Sequence, residues 1–186
     1  MVKNAVVVLF VLLCAIPAMA QEDYPKVQTS MGYANLSFWD FGNPSFGTSP
    51  TLPTSHHSGF ANETGFNLTR NFGINNYMGI YGLGSGIATG GNGIMMISDL
   101  FGGKAMYRAS RVVPYAVAGL GFGYLTESSG SYSFGSAFAT RFGGGVEIPF
   151  KESLAWKFEI SRMSFHFGGW TSGTNFQTGI VFTILQ

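Results

Sequence analysis

The chain has a single cysteine, Cys14, in 186 residues, so a fold stapled by internal disulfides is excluded and stability has to come from packing or from lipid. Charge is nearly as scarce. Only 10% of residues are charged and the net charge is +1, far below the roughly 25% charged content of soluble domains. No basic stripe marks a nucleic-acid partner. Beyond the N-terminus no apolar run reaches the roughly 18 residues that a spanning helix requires.

The one long apolar run is at the start, where Lys3 precedes Ala5 to Ile16, followed by Pro17 and the small-residue site Ala18-Met19-Ala20. At about 12 residues it is too short to span a bilayer as a helix and has the grammar of a secretory signal peptide. Cleavage after Ala20 is expected, giving a signal peptide over 1–20 and a mature domain over 21–186 without cysteine. Leu13 is not the small residue that a lipidation cysteine at position 14 would want before it.

What the mature part does contain is aromatic and glycine residues in alternation: the whole chain has 18 Phe and 27 Gly and is 46% hydrophobic. So apolar a chain with so few charges and no spanning helix has one remaining way to meet lipid, the closed β-barrel. The period supports it. From Ser136 to Pro149, Phe138, Phe142, Val146 and Ile148 share one face, opposite Ala139, Arg141, Gly143, Gly145 and Glu147. Val113 to Leu125 sets Ala116, Ala118, Leu120, Phe122 and Tyr124 against Val117 and three glycines. Leu154 to Phe167 alternates Trp156, Phe158 and Ile160 with Lys157, Glu159 and Ser161, and Thr174 to Leu185 alternates Phe176, Ile180, Phe182 and Ile184 with Gln177, Gly179 and Thr183.

Four noisier strands are read at Lys26 to Trp39, Ser58 to Arg70, Tyr77 to Ala88 and Met96 to Arg108, for a total of eight. Short links are expected at Asn71 to Asn76, Ala109 to Val112 and Phe150 to Ser153. Longer ones are expected at Asp40 to His57, Thr89 to Met95, Thr126 to Ser133 and Gly168 to Gly173. That alternation describes an all-β, eight-stranded antiparallel up-and-down transmembrane barrel. Trp39, Trp170, Tyr77, Tyr107 and Tyr115 are candidates for interfacial girdles, and Arg70, Arg108, Arg111, Lys151 and Glu152 for one membrane rim.

The succession Asn71-Phe72-Gly73-Ile74, Leu100-Phe101-Gly102-Gly103-Lys104, Arg111-Val112-Val113-Pro114-Tyr115, Phe142-Gly143-Gly144-Gly145-Val146-Glu147 and Thr178-Gly179-Ile180-Val181-Phe182 resembles the small eight-stranded outer-membrane β-barrel domain family. The resemblance spans nearly the whole mature chain. It implies an OmpA/OmpX-like barrel in a Gram-negative outer membrane. Where such chains end in an aromatic residue, this one ends Ile184-Leu185-Gln186.

Parity sends Glu63, Lys104, Arg141, Glu147, Lys157 and Glu159 into the lumen, where paired charge is tolerated and unpaired charge is not. The expectation is a structural salt-bridge plug, because eight-stranded barrels are just wide enough for side chains to fill. Its competitor is a polar path for small solutes. Ser164, His166 and Glu159 supply the residue types of a lipid-modifying hydrolase, but Glu159 has the opposite parity on the strand. His56 and His57 lack neighbouring ligands for a metal.

The functional expectation is a non-enzymatic outer-membrane barrel with a structural or surface-interaction role and no cofactor. Its partners would be outer-membrane lipids and, during insertion, the barrel assembly machinery; it is expected to be a monomer. A narrow channel is the alternative, and a soluble lipocalin-like binder a weaker one, since the latter should have a polar exterior.

Overall fold

A computed structural model describes residues 24–38, 56–83, 94–108, 111–127, 133–166 and 168–185. Eight strands run in order: β1 Val27–Phe38, β2 His56–Asn67, β3 Phe72–Leu83, β4 Ile94–Met106, β5 Val113–Glu127, β6 Ser133–Lys151, β7 Leu154–His166 and β8 Trp170–Leu185. Each pairs antiparallel with the next, and β1 closes on β8. The expected up-and-down barrel is therefore observed. The signal peptide over 1–20 lies outside the described residues, as do Trp39 and most of the long link read between β1 and β2.

The register fixes the geometry of the closed sheet. One row of paired residues runs from Asp99 through Phe122 to Phe138 in one direction. In the other it runs through Met78, Asn62, Met31, Ile180 and Trp156 to Ile148. The row returns to β6 ten positions from where it left, after eight strand-to-strand steps. A stagger of that size tilts the strands by about 40° and leaves an interior that side chains can fill.

Alternation then assigns the faces. Ala137, Ala139, Arg141 and Glu147 of β6 are buried, while Phe138, Phe142 and Ile148 are exposed. In β7, Ala155, Lys157, Glu159, Ser161, Met163 and Phe165 all point inward. The outer wall carries Phe60, Phe101, Leu120, Phe122, Phe158, Ile160 and Phe182, an apolar exterior suited to hydrocarbon and not to water.

Several expected boundaries move. β3 begins at Phe72, so the expected turn over Asn71 to Asn76 is mostly strand. The turn occupies 68–71 instead, where the Thr69 hydroxyl accepts the backbone N–H groups of Asn71 and Phe72 at 3.3 and 3.0 Å. Asn75 and Asn76 read as turn formers, but ladder pairing with Gly102 and Phe101 overrides that preference. β8 likewise starts at Trp170, which shortens the link expected to be long to 167–169. Gly168 there has φ +81°, a conformation that suits glycine and lets the chain reverse tightly.

Two of the girdle aromatics are also misplaced by the expectation. Tyr77 and Tyr115 are buried in the lumen, whereas Tyr107 and Trp170 are exposed. The odd positions of β5 all face inward, so Tyr115 belongs with Val113 and Val117 and not with the wall.

Phe142 is 70% exposed in the middle of the apolar face. Phe142→Arg should lower folding stability in lipid vesicles by about 2–4 kcal/mol, read by urea titration. An unchanged midpoint would mean that this face does not meet hydrocarbon.

Candidate functional site

Four strands deliver six charged side chains to one level of the lumen: Glu63 from β2, Lys104 from β4, Arg141 and Glu147 from β6, and Lys157 and Glu159 from β7, with Tyr115 of β5 beside them. All six charged side chains are buried. Strand alternation explains the convergence, since each lies at an inward position of its strand.

Glu63 is the hub. Its carboxylate meets Arg141 Nη2 and Lys157 Nζ at 2.8 Å each and Lys104 Nζ at 3.6 Å. Lys104 is also 2.5 Å from Glu147, and Glu159 is 2.5 Å from Arg141 and 3.5 Å from Lys157. Three carboxylates therefore face three cations, and the cluster is neutral as a whole. Such compensation matters because a single charge buried without a partner costs several kcal/mol.

Neighbouring groups complete the shell. Tyr115 donates its hydroxyl to Glu159 Oε2 at 3.1 Å, and Lys157 donates to Ser30 Oγ at 3.4 Å. Arg141 stacks 4.0 Å from the Tyr77 ring centroid and Lys104 lies 4.2 Å from that of Tyr115. Gly145, paired across the ladder with both Tyr115 and Glu159, leaves the space this needs. A Cβ at Gly145 would stand 2.6 Å from the Tyr115 hydroxyl.

On the long-link side of the cluster the polarity falls away in steps. Tyr77 and Tyr81 share a hydrogen bond between their hydroxyls, Tyr81 donates to Asn175 Oδ1 at 2.9 Å, and Asn175 Nδ2 donates back to Tyr77 at 3.2 Å. Beyond them Leu36, Phe38, Met96, Leu125, Met163 and Phe165 close an apolar layer. Toward the short turns, Asn67 donates to Pro25 O at 2.6 Å and Gln28 Oε1 at 3.0 Å, and Arg108 donates to Gln28 Oε1 at 3.1 Å. Between the two lies a void of only about 10 Å³, bordered by Glu63, Lys104, Glu147, Ser30, Gln28 and Asn67. That is room for about one water molecule.

Gln177 stands apart from this satisfied network. It is fully buried, and neither atom of its carboxamide has a hydrogen-bond partner among the described residues.

The other candidates separate in space. Ser164 Oγ lies 2.8 Å from Ser172 Oγ, and the His166 ring meets Trp170 at 5.2 Å, both on the outer wall. Glu159 is on the opposite side of that wall, so the three do not form a catalytic constellation. His56 and His57 also diverge, and both belong to β2 and not to a loop. His56 Nδ1 is 2.5 Å from Ser37 Oγ on the exterior, while His57 is buried against Phe38 at 5.8 Å.

With the barrel and its lumen defined, comparison with known proteins gives the lineage. The model of the outer membrane protein beta-barrel domain matches residues 6–183. The chain belongs to this family. No curated protein sequence matches it. Among solved structures this outer-membrane barrel is similar to Neisserial surface protein A, with a TM-score of 0.65, 10% identity and coverage of 86% of this chain and 97% of that one. It is also similar to Ail, the attachment invasion locus protein of Yersinia pestis (0.52, 17%, 84% and 97%), and to the outer membrane protein W of E. coli (0.52, 11%, 88% and 100%). At such identities the likeness is one of fold.

Sequence parity located the six charges but missed Tyr77, Tyr81, Tyr115 and Asn175 as their supports. For Tyr115 the signal was present in its own strand. For Tyr77 it was hidden by the misread start of β3.

Two substitutions separate paired from unpaired polarity in this lumen. Glu63→Gln removes the carboxylate that Arg141, Lys157 and Lys104 share, leaving one buried positive charge in excess, and should cost about 3–5 kcal/mol in urea unfolding from vesicles, clearly more than Glu147→Gln, whose carboxylate meets Lys104 alone. Gln177→Met removes two buried atoms without partners and should leave stability unchanged or raise it by up to about 1 kcal/mol.

Proposed function

We propose that this chain is an exported outer-membrane barrel, non-enzymatic and without a cofactor, that serves the cell envelope through its body and its outward-facing links and not through its lumen. The observation that carries this reading is the closed interior. Among the described residues a neutral network of six charges, a tyrosine and asparagine layer and an apolar layer are stacked across the lumen, and the void beside Glu63, Lys104 and Glu147 has the size of about one water. A conducting pore needs a continuous wet path, and the packing of the described lumen argues against one.

The family supports placement in the outer membrane, and the signal-like run before Gln21 supplies the route of export. Partners on this reading are outer-membrane lipids around the apolar wall and the barrel assembly machinery during insertion. The solved neighbours include Ail, an attachment invasion locus protein, which gives a precedent for a surface role on the same fold.

The experiment is planar-bilayer recording of the folded chain, identified as folded by its mobility shift on boiling. The expected result is no sustained conductance at moderate voltage. Steady single-channel openings would overturn the reading in favour of a narrow channel.

A further inference from the structure

The outer wall carries one feature that lipid alone does not explain. Among the described residues only two charged side chains point outward from the body of the strands, Asp99 of β4 and Arg162 of β7, one of each sign and both exposed. Their heights follow from the register. The row through Asp99 reaches β7 at His166. Since a row climbs about 1.25 residues per strand in a barrel of this stagger, the residue on β7 level with Asp99 lies about four positions below His166. That residue is Arg162.

Both charges sit well up the wall. Asp99 is seven residues from the short-turn end of β4 at Met106, about 18 Å along the barrel axis, whereas the apolar band of such barrels is about 25 Å tall. Polar residues adjoin each. Beside Asp99, Asn76 Nδ2 donates to its carboxylate at 2.6 Å, and the track continues through Thr64, Thr29 and Asn62, linked at 3.2 and 3.4 Å. Beside Arg162, Nη2 donates to Ser172 Oγ at 3.1 Å, and Ser172 meets Ser164 at 2.8 Å. The first face is acidic and carboxamide-rich; the second is basic and hydroxyl-rich.

We propose that these two faces are the complementary halves of a head-to-tail contact between copies of this chain, with Asp99 of one barrel against Arg162 of the next. The occupant is a second copy because the two charges are opposite, level and on different walls. Two barrels standing upright in one membrane can therefore join them without tilting. A contact through the Asp99 face alone would oppose two carboxylates, so the pairing is heterologous, with each barrel offering a different face to each neighbour. This departs from the monomer expected from the sequence, where neither residue's height could be known.

The test is formaldehyde cross-linking of intact cells expressing the full chain, read on gels of the outer-membrane fraction. The wild type should give a ladder at multiples of its own mass. Asp99→Arg and Arg162→Asp should each reduce the ladder at least about tenfold by facing like charges, and the double reversal should restore it. Boiling shifts report whether each variant folds, and Asp99→Asn with Arg162→Gln replace the reversals if they do not. A monomer band alone, an adduct to a different protein, a ladder indifferent to the single changes, or a double reversal that fails to restore it would each overturn the proposal.

Discussion

The interior of an eight-stranded barrel admits side chains but almost no solvent, so every charge placed there has to find its counter-charge among the strands themselves. That constraint organises this molecule. Glu63 can be ionised in the lumen only because Arg141, Lys157 and Lys104 surround it, and those cations are held in turn by Glu159 and Glu147. The groups that complete their shells, Tyr115 and Ser30, come from strands that carry none of the six charges. The network therefore ties β1, β2, β4, β5, β6 and β7 across the lumen in a way the backbone ladder, which links only neighbours, does not.

The same constraint sets the glycines and the exterior. Two of the rings that lie in the lumen use the space a glycine leaves. Phe165 occupies the space beside Gly123, as Tyr115 does beside Gly145. With polarity concentrated inside, the wall is left to Phe, Leu and Ile, the reverse of a soluble barrel, and it is this inversion that commits the fold to lipid. Among the described residues, neutral balance inside, an apolar band outside and one charge of each sign on the body of the wall account for nearly all the few charges in the strands.

Much of this was legible in the sequence. Period-two alternation is strict where strands are long and one face is apolar, as in β5 to β8, and there the faces were read correctly. It failed where polar residues occupy outward positions. Asn75 and Asn76 looked like a turn because an isolated asparagine pair favours one, and only the partner strand makes them part of a ladder. Tyr77 followed that error into a girdle it does not join. What no single strand can reveal is which charges meet. Glu147 and Lys157 are ladder neighbours, yet Glu147 is bound by Lys104 while Lys157 reaches Glu63 and Glu159. The choice depends on side chains reaching across the lumen. The stagger that brings Asp99 level with Arg162 is likewise a property of the closed sheet.

The most direct test of the closed, self-neutralised lumen is a crystal structure of the chain in lipid at a resolution that shows ordered water. The account predicts Glu63 in contact with Arg141 and Lys157, Glu159 held by Arg141 and Tyr115, and at most isolated waters between them. A continuous file of water from one end of the barrel to the other, with Arg141 and Glu159 apart, would contradict it.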